Sequence, residues 1–258
     1  MRRFGLIGNP ISHSKSPQLF AVAYPDEGMS YELIQSDSFD EAVARFKEDF
    51  DAVNVTSPYK EMAFRISDNA DSVASRIGAA NLLVRCNDGI MAYNTDYVAI
   101  SGILGRTLKR IGSEPSSVSV LVIGCGGAGK SAALAAMDLG MKVTLANRTR
   151  AKAEKFCIVN TDVTPAGLSD LPEIAAKSDV IVYALPARLE GLDALPLEGR
   201  TIVEAEYGNP CLKDLCGKCG AEYVPGEEWL MGQAVAGFQT MTGKLPDGKA
   251  MMALLQQK

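Results

Sequence analysis

The chain has 258 residues, 47% hydrophobic and 22% charged, with 26 basic against 31 acidic side chains for a net charge of −5. This is globular composition, enough for one large or two modest domains, and it excludes wholesale disorder. No basic tract offers a phosphate-neutralising nucleic-acid surface, and the longest uncharged stretches, 115–129 and 229–243, fall short of the roughly 20 apolar residues that span a bilayer.

Phe4–Ile7 reads as a buried strand before Gly-Asn-Pro, and Ser16–Tyr24 as a helix with Pro17 in its first turn, where a missing N–H is harmless. Tyr31–Gln35 is the next strand. Ser38-Phe-Asp-Glu41 fits a capping box ahead of Phe39, Ala42, Val43, Phe46 and Phe50 at helical spacing. Ala52–Val55 is a strand, and a helix follows Pro58. Helical Ala70–Gly78 leads to a hairpin, Asn81–Arg85 and Ile90–Tyr93, turning at Asn87-Asp-Gly89. A helix from Tyr97 to Ile111 runs into Gly112–Ser117, the best linker candidate in the chain.

Beyond it come strand Val118–Ile123, a glycine turn, a helix to Leu139, strand Lys142–Ala146 and helix Ala151–Phe156. Strands Asp179–Leu185 and Thr201–Glu204 follow, then helices Glu227–Thr242 and Lys249–Gln256. Strands alternating with helices imply α/β architecture with parallel sheets, in two units divided near residue 112. With no signal peptide before Pro10, the expectation is a cytoplasmic protein with no nucleic-acid or membrane partner; monomer or homodimer is the expected oligomeric state.

A single histidine, His13, reads as a turn residue and rules out two-His metal signatures within one chain. Proton chemistry therefore falls to Lys, Asp, Glu or Tyr. Cys216-Gly-Lys-Cys219 is a CxxC with no second CxxC or histidine nearby, so the six cysteines read as reduced thiols and no metal is expected.

Residues 124–131, Gly-Cys-Gly-Gly-Ala-Gly-Lys-Ser, satisfy both G-x-G-x-x-G and G-x-x-x-x-G-K-[ST]. Either places phosphate on a helix N-terminus, where free N–H groups and the dipole favour anions. A triphosphatase needs a later strand ending in Asp for magnesium; Glu204 is only a weak substitute. A dinucleotide site needs a ribose-reading residue after the next strand, and there stand Asn147-Arg148-Thr149, with Lys152 a turn further on. An arginine fork matches a 2′-phosphate, which favours NADP(H), bound by Gly124, Gly126, Gly127, Ala128, Asn147, Arg148, Thr149 and Lys152.

The segments 8–17 (Gly-Asn-Pro-Ile-Ser-His-Ser-Lys-Ser-Pro), 54–60 (Asn-Val-Thr-Ser-Pro-Tyr-Lys), 77–81 (Ile-Gly-Ala-Ala-Asn) and 93–96 (Tyr-Asn-Thr-Asp) resemble shikimate dehydrogenases. So do the glycine loop, Asn147-Arg-Thr149 and Trp229-Leu-Met-Gly-Gln233, all in family order. The resemblance implies a Rossmann-type NADP-binding domain (98–227) and a split substrate-binding domain (1–97, completed by helices at about 228–258) flanking a cleft. It implies NADPH-dependent interconversion of 3-dehydroshikimate and shikimate. It makes Lys60 and Asp96 the catalytic pair, has Ser14 and Ser16 hold the substrate carboxylate, and has Thr56, Lys60, Asn81, Asp96, Tyr207 and Gln233 complete the substrate site. A carboxylate beside Lys60 favours its ammonium form, which suits an acid in carbonyl reduction better than a base. The bland alternatives are helix caps for Ser14, Ser16 and Asn94-Thr-Asp96.

Two segments depart from the family pattern. Tyr183-Ala-Leu-Pro-Ala-Arg188 replaces the usual Asn-Ala-Thr loop beside ribose and nicotinamide, and Glu204-Ala-Glu-Tyr207 adds a carboxylate beside Tyr207. The rival readings are a quinate/shikimate or aminoshikimate-type enzyme, a non-catalytic nucleotide-binding homologue and a P-loop hydrolase.

Overall fold

Two separate six-stranded sheets organise the chain in the computed structural model, which describes residues 1–25 and 27–256. The chain divides into two units, one of Met1–Thr95 with the segment from Met231 onward, the other of Asp96–Leu230. Gln257 and Lys258, the end of the expected C-terminal segment, lie outside the described residues.

The first unit runs β1 (Arg2–Gly8), α1 (Ser16–Ala23), β2 (Met29–Gln35), α2 (Phe39–Asp49), β3 (Ala52–Val55), α3 (Lys60–Ile66), β4 (Asn69–Ala70), α4 (Ser72–Ile77), β5 (Leu82–Cys86) and β6 (Gly89–Tyr93). Its strand order is β2-β1-β3-β5-β6-β4. The sheet is mixed: β1 is parallel to β2 and β3, and the expected hairpin sets β5 antiparallel to β3 and β6. Phe39, Val43 and Phe46 of α2 and Phe50 are buried against Ile7, Ile34, Val53 and Val55, each such side chain contributing about 1.5–3 kcal/mol on burial. Ser38 caps α2 by accepting from the Glu41 N–H, but Glu41 does not complete the capping box. Its carboxylate accepts from Ser36 Oγ, and Ser36 Oγ takes the Ser38 N–H instead.

The second unit runs through α5 (Thr95–Ile111), β7 (Ser119–Ile123), α6 (Gly127–Asp138), β8 (Lys142–Ala146), α7 (Arg150–Val159), β9 (Val163–Ala166), α8 (Leu171–Ala176), β10 (Val180–Tyr183), β11 (Thr201–Glu204), α9 (Lys213–Cys219) and β12 (Glu222–Val224). Its sheet is wholly parallel in the order β12-β11-β10-β7-β8-β9. The chain starts at the central β7, winds outward to β9, then crosses to β10 and winds outward the other way. Such doubly wound sheets bind ligands at the reversal, outside the carboxyl ends of the strands; here that is the β7–β10 boundary.

The expected linker Gly112–Ser117 lies inside this unit, where Pro115–Ser117 forms one 3₁₀ turn. The units divide instead within α5 and within α10 (Gly226–Thr242), after which α11 (Gly248–Gln256) ends the described chain. The C-terminal segment belongs to the first unit because it is fastened there. Phe238 stacks edge-on to Phe20 at 5.0 Å, and the Arg2 guanidinium donates to the carbonyls of Met241 (2.6 Å) and Thr242 (3.0 Å) at the end of α10. Among the described residues no helix is long and apolar enough to cross a membrane.

Candidate active site

In the first unit, chemistry-bearing residues cluster where the parallel strands β1 and β3 end. A Cβ on Gly8 would overlap Thr56 Cγ2 and stand 2.6 Å from Ile11 Cγ2, so only glycine lets the loops after β1 and β3 meet. Backbone bonds Thr56 N–H to Ile7 O (2.8 Å) and Asn9 N–H to Ser57 O (3.2 Å) hold them together. Ser14 and Ser16 are buried, with Ser14 Oγ donating to Ser16 Oγ and accepting from the Ser16 N–H, both at 3.2 Å. The N-cap of α1 is Lys15, which makes no side-chain cap bond. His13 is exposed in the preceding turn.

Lys60 opens α3, half-buried, and its carbonyl accepts from the Ala80 N–H (2.8 Å), which brings the start of α3 beside Asn81. Asn81 is buried and engaged at both ends of its amide. Nδ2 donates to Thr95 Oγ1 (3.0 Å), and Oδ1 accepts from the Thr95 N–H (2.7 Å) at the start of α5. Asn54, absent from the expected site residues, underlies this cluster: it is buried, accepts from Tyr31 Oη (2.8 Å) and donates to the Asn81 carbonyl (3.3 Å). Its signal was a lone amide inside the apolar strand Ala-Val-Asn-Val. Gln233 lies one turn before Gly237 on α10, where a Cβ would stand 3.2 Å from Asn54 Nδ2.

In the second unit, Asp96 sits in the first turn of α5, where the helix dipole favours a carboxylate. It is 5% exposed, and its Oδ1 accepts from Trp229 Nε1–H at 3.2 Å. The glycine turn after β7 is built from three different demands. Gly124 has φ +109°, the left-handed region that favours glycine; a Cβ on Gly129 would overlap the Gly124 carbonyl oxygen; a Cβ on Gly126 would meet nothing within 4 Å. That open space lies at the start of α6, whose N-cap Gly126 supplies no side chain, so the first N–H groups of the helix, at Gly127 and Ala128, face it uncapped.

The Asn147-Arg148-Thr149 loop after β8 is tied to this turn. Asn147 Oδ1 accepts from the Cys125 N–H (3.2 Å), and Nδ2 donates to the Thr149 carbonyl (3.0 Å). Arg148, Thr149 and Lys152 are exposed, and among the described residues Arg148 and Lys152 have no ion-pair partner, whereas Arg150 pairs with Glu154. Open space over Gly126, uncapped N–H groups and two uncommitted cations fit a dinucleotide carrying a 2′-phosphate.

The P-loop alternative loses its residues. Ser131 is fully buried with Oγ donating to the Gly127 carbonyl (2.8 Å). Glu204, the weak candidate for magnesium, is fully buried and accepts from the N–H groups of Cys211 (2.7 Å) and Leu212 (3.2 Å) and from Tyr223 Oη (2.7 Å). Burial and that carboxylate together push the Tyr223 phenol well above its usual range.

The departing loop is shaped by its own tyrosine. Tyr183, fully buried at the end of β10, donates to the Ala187 carbonyl (2.7 Å) and accepts from the Leu189 N–H (2.8 Å), closing residues 184–188 into a turn. Burial pushes its phenol up to about 12. Leu185 lies against the glycine turn, 2.9 Å from where a Gly124 Cβ would be. Together with Arg188, Glu206 and Asn209 it lines a cavity of about 180 Å³ beyond β10 and β11. The extra carboxylate, Glu206, accepts from the N–H groups of Gly208 (2.6 Å) and Asn209 (3.2 Å), folding the turn around half-buried Tyr207. The six cysteines are free; burial raises Cys211 to about 11 and Cys216 to about 12, so both stay protonated thiols near neutrality.

Comparison with known proteins decides what these two units belong to. Residues 6–83 match the model of the shikimate dehydrogenase substrate binding domain, and residues 106–193 match that of shikimate / quinate 5-dehydrogenase. A protein of Halobacterium salinarum named shikimate dehydrogenase (NADP(+)) is 31% identical over 269 residues, covering 99% of this chain and 98% of that protein. The chain belongs to the shikimate dehydrogenase family. Among solved family members, the Mycobacterium tuberculosis shikimate dehydrogenase superposes with a TM-score of 0.82 at 29% identity, over 99% of this chain and 98% of that one. The Thermus thermophilus shikimate 5-dehydrogenase, solved in complex with NADP(H) and shikimate, gives 0.80 at 27% identity, over 100% and 99%.

Proposed function

We propose that this chain is an NADP-dependent shikimate dehydrogenase, the first unit binding substrate and the second NADP(H). The observation that carries the reading is the pair of uncommitted cations, Arg148 and Lys152, beside the open glycine turn, in a chain matched over nearly its full length to a family member holding NADP(H) and shikimate. Bound NADPH supplies a hydride to the substrate ketone.

The chain's own residues do the rest. Ser14 and Ser16 offer neutral hydroxyls to the substrate carboxylate, avoiding the cost of burying a cation. Thr56, Asn81, Tyr207 and Gln233 supply polar groups for a polyol, so an analogue lacking a hydroxyl leaves one of them unpaired. As the carbonyl carbon is reduced its oxygen gains negative charge, and the Lys60 ammonium donates a proton to it. In the oxidative direction neutral Lys60 takes the hydroxyl proton as the hydride leaves. Asp96 orients the hydroxyl.

The test is NADPH formation by purified protein on adding shikimate to NADP⁺, with NAD⁺ and quinate in parallel. Shikimate with NADP⁺ as the fastest pair supports the reading. A folded protein that binds NADPH and is silent with every pair overturns it.

A further inference from the structure

Trp229 is the chain's only tryptophan, and it is 4% exposed. Its Nε1–H donates to Asp96 Oδ1 at 3.2 Å, linking the first turn of α10 to the first turn of α5 inside the second unit. The donor is held from two further sides. Arg106 of α5 pairs with Glu228 of α10 at 2.7 Å, and Gly226 seats the start of α10 on the backbone of Glu206, whose carbonyl oxygen a Cβ would approach to 2.6 Å. An indole N–H only donates and does not titrate in the working range of an enzyme. It can therefore fix a carboxylate without exchanging a proton with it.

We propose that Trp229 is a positioning residue for Asp96: its indole assigns Oδ1 to the protein and thereby sets the rotation of the carboxylate in the reaction. The proposal rests on the dehydrogenase reading for its kinetic part only. The large ring alone does not account for the contact, since phenylalanine would fill most of the same space with no donor.

Trp229→Phe is the test. The expected result is a fall in kcat of roughly tenfold, the worth of one hydrogen bond to a charged group, with NADPH affinity unchanged and no further fall when Asp96 is already alanine. A merely structural tryptophan would give equal losses in both backgrounds, and that result would overturn the proposal. A second arm needs no turnover, because the chain's single indole N–H resonance can be followed in the full-length protein. It is expected to exchange slowly with solvent and to move on Asp96→Asn; a fast-exchanging indole, or one indifferent to Asp96, overturns the proposal. Wild-type inactivity with an indole signal that still follows Asp96 supports the contact and overturns only the assigned reaction.

Discussion

Asn147 holds the glycine turn and the Asn-Arg-Thr loop in one frame, its Oδ1 accepting from the Cys125 N–H at 3.2 Å and its Nδ2 donating to the Thr149 carbonyl at 3.0 Å. The side chain thus acts on the cofactor site through backbone groups on both of its loops. Asn147→Ala removes both bonds, and the expected effect is a loss of NADPH affinity of about tenfold, equivalent to roughly 1.4 kcal/mol. Titration of NADPH fluorescence measures it.

Arg148 and Lys152 are expected to read the 2′-phosphate. Replacing Arg148 by alanine should raise the KM for NADP⁺ by about ten- to a hundredfold, in keeping with a charge-assisted bond worth roughly 1.5–3 kcal/mol, and leave the KM for NAD⁺ nearly unchanged. Lys152→Ala should act in the same direction, less strongly. Equal losses for both cofactors would show that the residues serve the shared pyrophosphate instead.

The glycines of the turn separate packing from binding. Gly129→Ala places a methyl group on the Gly124 carbonyl oxygen and must shift α6 off β7, so both Tm and NADPH binding should fall. Gly126→Ala meets open space; its Tm should hold while NADPH binding falls, because the methyl group occupies the volume the phosphates need. Thermal melts with and without NADPH distinguish the two.

Tyr183 makes an alkaline prediction. Its phenol is pushed up to about 12 in the folded protein, against 10.0 for an exposed tyrosine. As pH rises between those values the unfolded chain loses the proton first. Tyr183 therefore contributes full stability below about pH 10, and that contribution drains away toward pH 12. Tyr183→Phe leaves the Leu189 N–H and Ala187 carbonyl without this partner and should cost about 1–3 kcal/mol near neutrality. The deficit should shrink above about pH 10, where the wild-type hydroxyl becomes a liability. Urea unfolding at neutral and alkaline pH compares the two proteins.

Much of this arrangement was legible in the sequence because local rules and the fold agree. Ala52–Val55, Lys142–Ala146 and Thr201–Glu204 are apolar runs that became strands with the expected bounds, and Gly124-x-Gly-x-x-Gly129 announced a strand–turn–helix. What was missed lies at edges and in short pieces. β9 reads Val-Thr-Pro-Ala, and Pro165 disguised it; at the sheet edge a residue without an N–H breaks no ladder. β12 has three residues and β4 two, too few for periodicity to register, and Gly217 interrupts the helical pattern of α9. Gly112–Ser117 carried linker composition but only turns the chain before β7. Asn54 and Glu204 escaped because their roles depend on donors and acceptors far along the chain: Tyr31 and Asn81 for one, Cys211, Leu212 and Tyr223 for the other.

The most direct test of hydride transfer follows the hydrogen itself. Shikimate deuterated at the carbinol carbon that becomes the ketone is incubated with NADP⁺ and the wild-type protein, and with Lys60→Ala as control. The expected result is deuterium on the nicotinamide ring of the NADPH formed, at a rate that Lys60→Ala lowers by at least a hundredfold, the range for loss of a general acid–base group. Deuterium released to water, or label transfer undiminished in Lys60→Ala, would contradict the reaction or the role given to Lys60.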